Sequence, residues 1–295
     1  MYHKAYGIIE TLAPLHIGAS AGEEAGNLNM IFRDQFTQTG IIPGSSIRGR
    51  FRADMRNRLD NGGELANLWY GRAAGENNES TDSPADATPM LSESLVKFEY
   101  ASVLWLPVFC PGQPIVWVSC PRWLKRYKQL ANLPHQVPNP NTAQITPHRD
   151  RLFFNLGFLD GLTPKDDLKG NWMPKGLTDP PDSLVIVEDK DIGLIHDMAL
   201  YRQTRTKLQD TQKIVDNFFG FEALPEAAVL LFPIAIRQQI PATTQKKLDE
   251  FNSTTWQPFG EQQDRELYLG GLESVGCGRC RIQLSGKYFD QEQTP

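Results

Sequence analysis

The run ASVLWLPVF (101 to 109), the break CPGQ and the run PIVWVS (114 to 119) constrain this chain more than any other feature. Two runs rich in β-branched and aromatic residues, separated by a short Pro- and Gly-containing break, predict a β-hairpin. A hairpin pairs its strands antiparallel. A second pair is expected around 266 to 284. Strands and helices then alternate without the strict rhythm of a doubly wound sheet, which favours an α+β sandwich with antiparallel pairing and a ferredoxin-like core.

The other elements follow from pattern and punctuation. Residues 3 to 12 predict a strand, turned at Pro14 and Gly18 and followed by a small polar loop over 19 to 30. In TGIIPGSSIRGRFRADMRNRLD, Pro43-Gly44 makes a turn and Ser45 or Ser46 can serve as N-cap. The helix that follows is expected to run to about Asp60, with Phe51 and Met55 facing inward together. PRWLKRYKQL predicts a short basic helix, SLVIVED a strand, 195 to 218 a helical stretch, AAVLLFPIAI (227 to 236) a strong strand and 242 to 251 a helix. Residues 73 to 95 are polar and Pro/Ser-rich, the composition of a flexible insertion. Residues 132 to 183, rich in Pro, Asn, Asp and Gly, form an excursion from the core around the apolar piece LFFNLGFL.

At 295 residues with 40% hydrophobic and 22% charged, the chain can bury one large core with sizeable insertions, and its composition is that of an ordinary globular protein. No stretch approaches the roughly 18 consecutive apolar residues of a membrane span. The N-terminus lacks the apolar region of a secretory leader, so a cytoplasmic protein is expected. The net charge of −5 argues against a free-standing nucleic-acid binder. Its distribution tempers that, because Arg48, Arg50, Arg52, Arg56 and Arg58 crowd one segment. Four cysteines, Cys110, Cys120, Cys277 and Cys280, fit reduced thiols better than a disulfide framework.

Two motifs suggest chemistry. In Ile42-Pro43-Gly44-Ser45-Ser46-Ile47-Arg48-Gly49-Arg50, a Gly-Ser-Ser turn opening a helix offers backbone N–H groups, hydroxyls and a positive dipole end to an anion. The alternative is that the serines only cap and the arginines form a solvated face, and residue types leave both open. In Gly270-Gly271-Leu272-Glu273-Ser274-Val275-Gly276-Cys277-Gly278-Arg279-Cys280-Arg281, the glycines allow close backbone approach, and Arg279 and Arg281 share one strand face. Cys277-x-x-Cys280 lacks the second half of a zinc site, and the five histidines show no paired metal spacing, so no metal site is expected. His16, at a strand end, is either a packed core histidine or a ligand contact. The aromatics of LFFNLGF and VLWLPVF are expected in the core. No nucleophile elbow, Walker motif or dinucleotide fingerprint occurs.

Thr11-Leu12-Ala13-Pro14-Leu15-His16-Ile17-Gly18, then Arg33-Asp34 ahead of Ile42 to Gly49, then Gly270 to Gly278, resemble in order and spacing the RAMP superfamily of CRISPR-associated proteins. Within it the chain looks most like the backbone subunit of type III effector complexes, Cmr-like with Csm-like features. The resemblance implies a single domain over 1 to 295. Its fold class would be α+β, an RRM/ferredoxin-like palm with loop insertions and a thumb hairpin, placed by position on the 132 to 183 excursion.

It further implies binding of a CRISPR guide RNA and target RNA beside other CRISPR-associated subunits and further copies of the chain, in antiviral defence. Mapped by position, the RNA contacts fall on His16, Arg33, Ser45, Ser46, Arg48, Arg50, Gly276, Gly278 and Arg279. Relatives that cut RNA use an aspartate and a divalent metal. Here that position is Leu28, leaving Asp34 as the nearest carboxylate, with Glu23 and Glu24 in the same loop. The resemblance therefore implies a scaffold that needs no cofactor to bind RNA, or a Mg2+-dependent RNase using a relocated carboxylate such as Asp34.

Overall fold

The computed structural model describes residues 1–18, 28–57, 62–71, 93–112, 115–155, 157–208 and 215–290. The chain opens with β1 (Tyr2–Thr11), passes the short β2 (Leu28–Asn29) and β3 (Ile41–Ile42), and enters α1 (Gly44–Arg56) and α2 (Gly62–Tyr70). Next come β4 (Val96–Phe98), β5 (Ala101–Phe109), β6 (Ile115–Ser119) and α3 (Pro121–Ala131). An insertion follows, with β7 (Thr142–Gln144), β8 (Arg151–Phe154), β9 (Gly157–Asp160), β10 (Thr163–Pro164), α4 (Leu168–Trp172), β11 (Leu184–Ile186) and α5 (Ile192–Ala199). A ribbon of β12 (Tyr201–Leu208) and β13 (Val215–Ala223) leads to β14 (Val229–Arg237), α6 (Ala242–Glu250), β15 (Asp264–Tyr268), β16 (Arg279–Ser285) and α7 (Lys287–Asp290).

The main sheet runs β10-β7-β11-β6-β5-β14-β1-β16-β15, with β3 pairing β5 and β4 pairing β14. Its centre, β5-β14-β1-β16, is antiparallel throughout and has the strand order of a βαββαβ unit whose helices are α1 and α6. This is the expected ferredoxin-like palm. β5 and β6 form the expected hairpin, Phe109 opposite Ile115. β14 lies between β1 and β5 because its apolar run can be buried on both faces.

The core under α1 is aromatic. Ile47, Phe51 and Met55 repeat every four residues and are buried. Phe51 packs 5.3 Å from Phe98, 5.3 Å from Phe259 and 6.0 Å from Trp256, while the Trp256 indole donates to the Tyr70 hydroxyl at 3.0 Å. No helix among the described residues is long and apolar enough to cross a membrane.

Several expectations are corrected. α1 begins at Gly44 after Pro43 with no side-chain cap, so neither Ser45 nor Ser46 is the N-cap, and it ends at Arg56 rather than near Asp60. The stretch 195 to 218 is mostly strand: after α5, Tyr201, Thr204, Arg205 and Thr206 pair across the ribbon, a period-two pattern that outweighs helical propensity. The 73 to 95 insertion lies outside the described residues up to 92. The excursion at 132 to 183 joins the sheet in part, since β7 and β10 extend its edge, while β8 and β9 pair as a separate hairpin. The aromatics divide, with Trp105 and Phe154 buried but Phe109, at the end of β5, exposed, and Phe153 and Phe158 exposed because β8-β9 packs on one face only.

Candidate functional site

The three sequence blocks, far apart in the chain, meet beyond the C-terminal end of β1. β1 delivers the chain to His16, whose carbonyl accepts from the Gly271 N–H at 3.0 Å, and the Gly278 N–H donates to Pro14 at 2.9 Å. Gly270 has φ +79°, and a Cβ there would run into the His16 carbonyl, so this approach requires glycine. α1 points its N-terminal turn into the same place. Ile17, Gly18, Ser46, Gly49, Arg50, Gly270 and Gly271 thereby line one open groove of about 390 Å³.

In the first turn of α1 the Ser46 N–H donates to the Pro43 carbonyl at 3.0 Å, no side chain caps the helix, and no acidic residue lies in that turn. Arg50 pairs with Asp54 one turn on at 2.9 Å, a partly exposed bond of little strength that a ligand can displace. Glu273 is the one carboxylate among the lining residues, so the groove's fixed charges nearly balance. What the groove offers an anion is therefore an uncapped helix end, the Ser46 hydroxyl and shape more than net charge. Gly49, like Gly63 and Gly170, sits inside a helix, where glycine costs about 1 kcal/mol relative to alanine, and of the three it alone lines the groove. A Cβ on it would meet nothing within 4 Å. The fold does not require that glycine, whereas a ligand backbone lying against α1 would.

The other mapped residues scatter. Ser45 is exposed at the start of α1 and Ser46 lines the groove. Arg48 turns away, its guanidinium donating to the Tyr70 carbonyl at 2.7 Å and to Gly71 at 3.1 Å, so it caps the C-terminal end of α2. Arg52 bonds the Asn67 side chain at 2.6 Å, which divides the basic cluster between two faces; Arg58 lies outside the described residues. Arg279 is exposed beside the glycine loop, Gly276 is exposed and Gly278 buried. Arg281 is held by Asp264 at 2.7 Å and the Gly176 carbonyl at 2.6 Å.

His16 is 6% exposed, donates from Nδ1 to the Glu222 carbonyl at 2.6 Å and packs edge-on against Phe221; it is a core residue rather than a ligand contact. Arg33 is committed within the chain. It bonds Asp197 at 3.1 Å and Glu222 at 2.9 Å, and Arg202 bonds the same two carboxylates at 3.0 Å each. This four-membered network was hidden from sequence reasoning because it joins a loop, α5 and the ribbon. Beside it, buried His196 accepts the Gly40 N–H at Nε2, and burial, then the charge of Arg33, push it down to about 3, so the ring is neutral.

Among the described residues, the positions mapped for catalysis do not fit a catalytic metal. Leu28 pairs with Gly220 of the ribbon, and a leucine offers no oxygen. Asp34 Oδ1 accepts from the Phe36 and Thr37 N–H groups and the Thr37 hydroxyl, closing a turn. Burial would raise its carboxyl, but these hydrogen bonds outweigh it and hold the group below its usual range. Cys280 belongs to the main core and Cys277 to a separate cluster with Phe221, so the pair faces no common point. No three His, Cys, Asp or Glu converge on one ion among the described residues. Glu23 and Glu24 lie outside the described residues.

Comparison with known proteins bears on the fold and the family. A search among curated proteins returned no match. Among solved structures, a Type III-B Cmr-beta bound to cognate target RNA shares 16% identity over 95% of this chain and 96% of the other, with a TM-score of 0.68. The apo state of Cmr-beta gives 17%, 97%, 98% and 0.66. Oligomeric Cmr4 from Pyrococcus furiosus gives 16%, 96%, 98% and 0.63. These likenesses establish a shared fold over the whole length. The profile of the RAMP superfamily matches residues 8–281, and the chain belongs to that superfamily.

Proposed function

We propose that this chain is an RNA-binding backbone subunit of a type III CRISPR ribonucleoprotein, holding guide and target RNA in the cytoplasm for antiviral defence without a catalytic carboxylate of its own. The observation that carries this reading is the groove itself. Three distant blocks meet there around a helix N-terminus and an otherwise unexplained Gly49. Such a surface suits a sugar-phosphate backbone of any sequence, because it offers an uncapped helix end and shape rather than base-reading side chains. The similarity to Cmr4 and to Cmr-beta bound to target RNA supports the same partners here, further copies of the chain among them.

The thumb is better placed on the β12-β13 ribbon than on 132 to 183. The eight- and nine-residue strands of the ribbon stand outside the main sheet, joined to β2, while in the excursion β7 and β10 join the sheet edge and only the four-residue pair β8-β9 stands apart. The scaffold reading over an RNase rests on Leu28 and on the engagement of Asp34.

The test is the salt dependence of binding to labelled single-stranded RNA, measured by fluorescence anisotropy. Arg50→Ala with Arg279→Ala is expected to lower the slope of log Kd against log salt by about 1.4, two phosphate contacts at ~0.7 each. An unchanged slope and affinity would dispose of the reading.

A further inference from the structure

The two faces of the palm are unequally covered. On one, α1, α2, α6 and α7 bury Ala5, Ile9 and Phe232 in the main core. On the other, α3 and α4 cover Ile8, Leu104 and Val229. That cover stops short of the N-terminal half of β1. A trough of about 980 Å³ remains open there, floored by β1 and β16 and walled by the end of α3 and the segment after α4.

Lys4, Lys175 and Lys287 line the trough, all exposed and without an ion-pair partner among the described residues. Asp290 is the one carboxylate of the lining, in a chain whose net charge is −5. Between the lysines lie phenols and carboxamides, among them Tyr6, Asn171 and Gln283. Lysines supply phosphate contacts, tyrosines stack on bases, and amides bond base edges and 2′-hydroxyls. His3 and His135 also line it, but no three His, Cys, Asp or Glu converge there among the described residues, so the trough is equipped to hold a polyanion rather than to transform one.

We infer that this trough binds a second segment of single-stranded RNA, distinct from the segment in the groove beside α1. The inference rests on the reading of the chain as an RNA binder and extends it. The two sites lie at opposite ends of β1, whose ten residues span roughly 30 Å, so one RNA of sufficient length reaches both. Charge favours RNA over a protein partner here, since a neighbour would have to bring acidic groups to satisfy three lysines.

The experiment compares two labelled RNAs on the full-length chain, one too short to bridge the two sites and one long enough. The variants are Lys4→Gln, Lys175→Gln and Lys287→Gln combined, and Arg50→Ala with Arg279→Ala. The triple variant is expected to bind the short RNA as wild type does, and to lower the salt slope for the long RNA by about 2. Ultraviolet crosslinking of the long RNA alone to the Tyr2–Tyr6 peptide would place it in the trough. An unchanged long-RNA slope in the triple variant overturns the second site while leaving the groove intact. If that variant instead keeps its RNA but loses a co-purifying subunit, the trough is a protein interface and the inference fails. Wild type that binds neither RNA overturns both readings. Because the three lysines are exposed, an unchanged melting temperature confirms that the variant is folded.

Discussion

The groove beside α1 and the base of the β12-β13 ribbon both present arginine, yet they use it in opposite ways. At the ribbon base, Arg33 and Arg202 share Asp197 and a Glu222 side chain only 3% exposed, so each charge has a fixed partner. In the groove, Arg50 leans on a single aspartate of its own helix, in partial contact with water. Desolvated charge pairs are costly to break, whereas an exposed i,i+4 pair contributes little and exchanges readily. The first region fixes the ribbon relative to the loop at 28 to 40; the second keeps its cation available.

The sharpest way to break this contrast is Glu222→Ala. Two arginines would then depend on Asp197, which is about half exposed. A loss of about 3 kcal/mol of folding stability is expected, measured by chemical denaturation. A loss below about 1 kcal/mol would show that the network is not the fixed element described here.

Arg48 tests the same distinction within one helix. Its guanidinium closes the end of α2 through two backbone carbonyls, so Arg48→Ala should cost about 2 kcal/mol. Its effect on RNA affinity should follow the loss of fold, with the salt slope unchanged under conditions where the variant remains folded. A slope that falls with intact stability would place Arg48 on the RNA and remove the contrast with Arg50.

How far the sequence carries this picture depends on the range of the interactions. The palm was legible because its strands announce themselves locally: 101 to 119 by a hairpin break, 227 to 236 by an unbroken apolar run. Gly44 to Gly49 and Gly270 to Gly278 were legible as turns that suit an anion, and they do share a groove. The direction of each arginine was not legible. Arg48 and Arg50 differ only by position on a helix, and their fates turn on α2, which sequence reasoning did not find. GGELANLWY is short, and its stability comes from burying Trp69 and Tyr70 rather than from propensity. The ion network failed for the same reason, since Arg33, Asp197 and Glu222 meet only after three distant elements have packed.

Gly49→Ala gives the smallest effect and the cleanest separation of fold from function. In the interior of α1 alanine is preferred by about 1 kcal/mol, and the structure has room for the added methyl, so the variant should be more stable than wild type in thermal unfolding. The same methyl enters the groove between Ser46 and Arg50, where an RNA backbone approaching the helix would meet it. Weaker RNA binding together with a higher Tm would mean that the glycine is retained for the ligand at a cost to the fold. Equal or tighter binding would mean that the RNA path does not pass over α1, and the open groove would lose its claim to be the site.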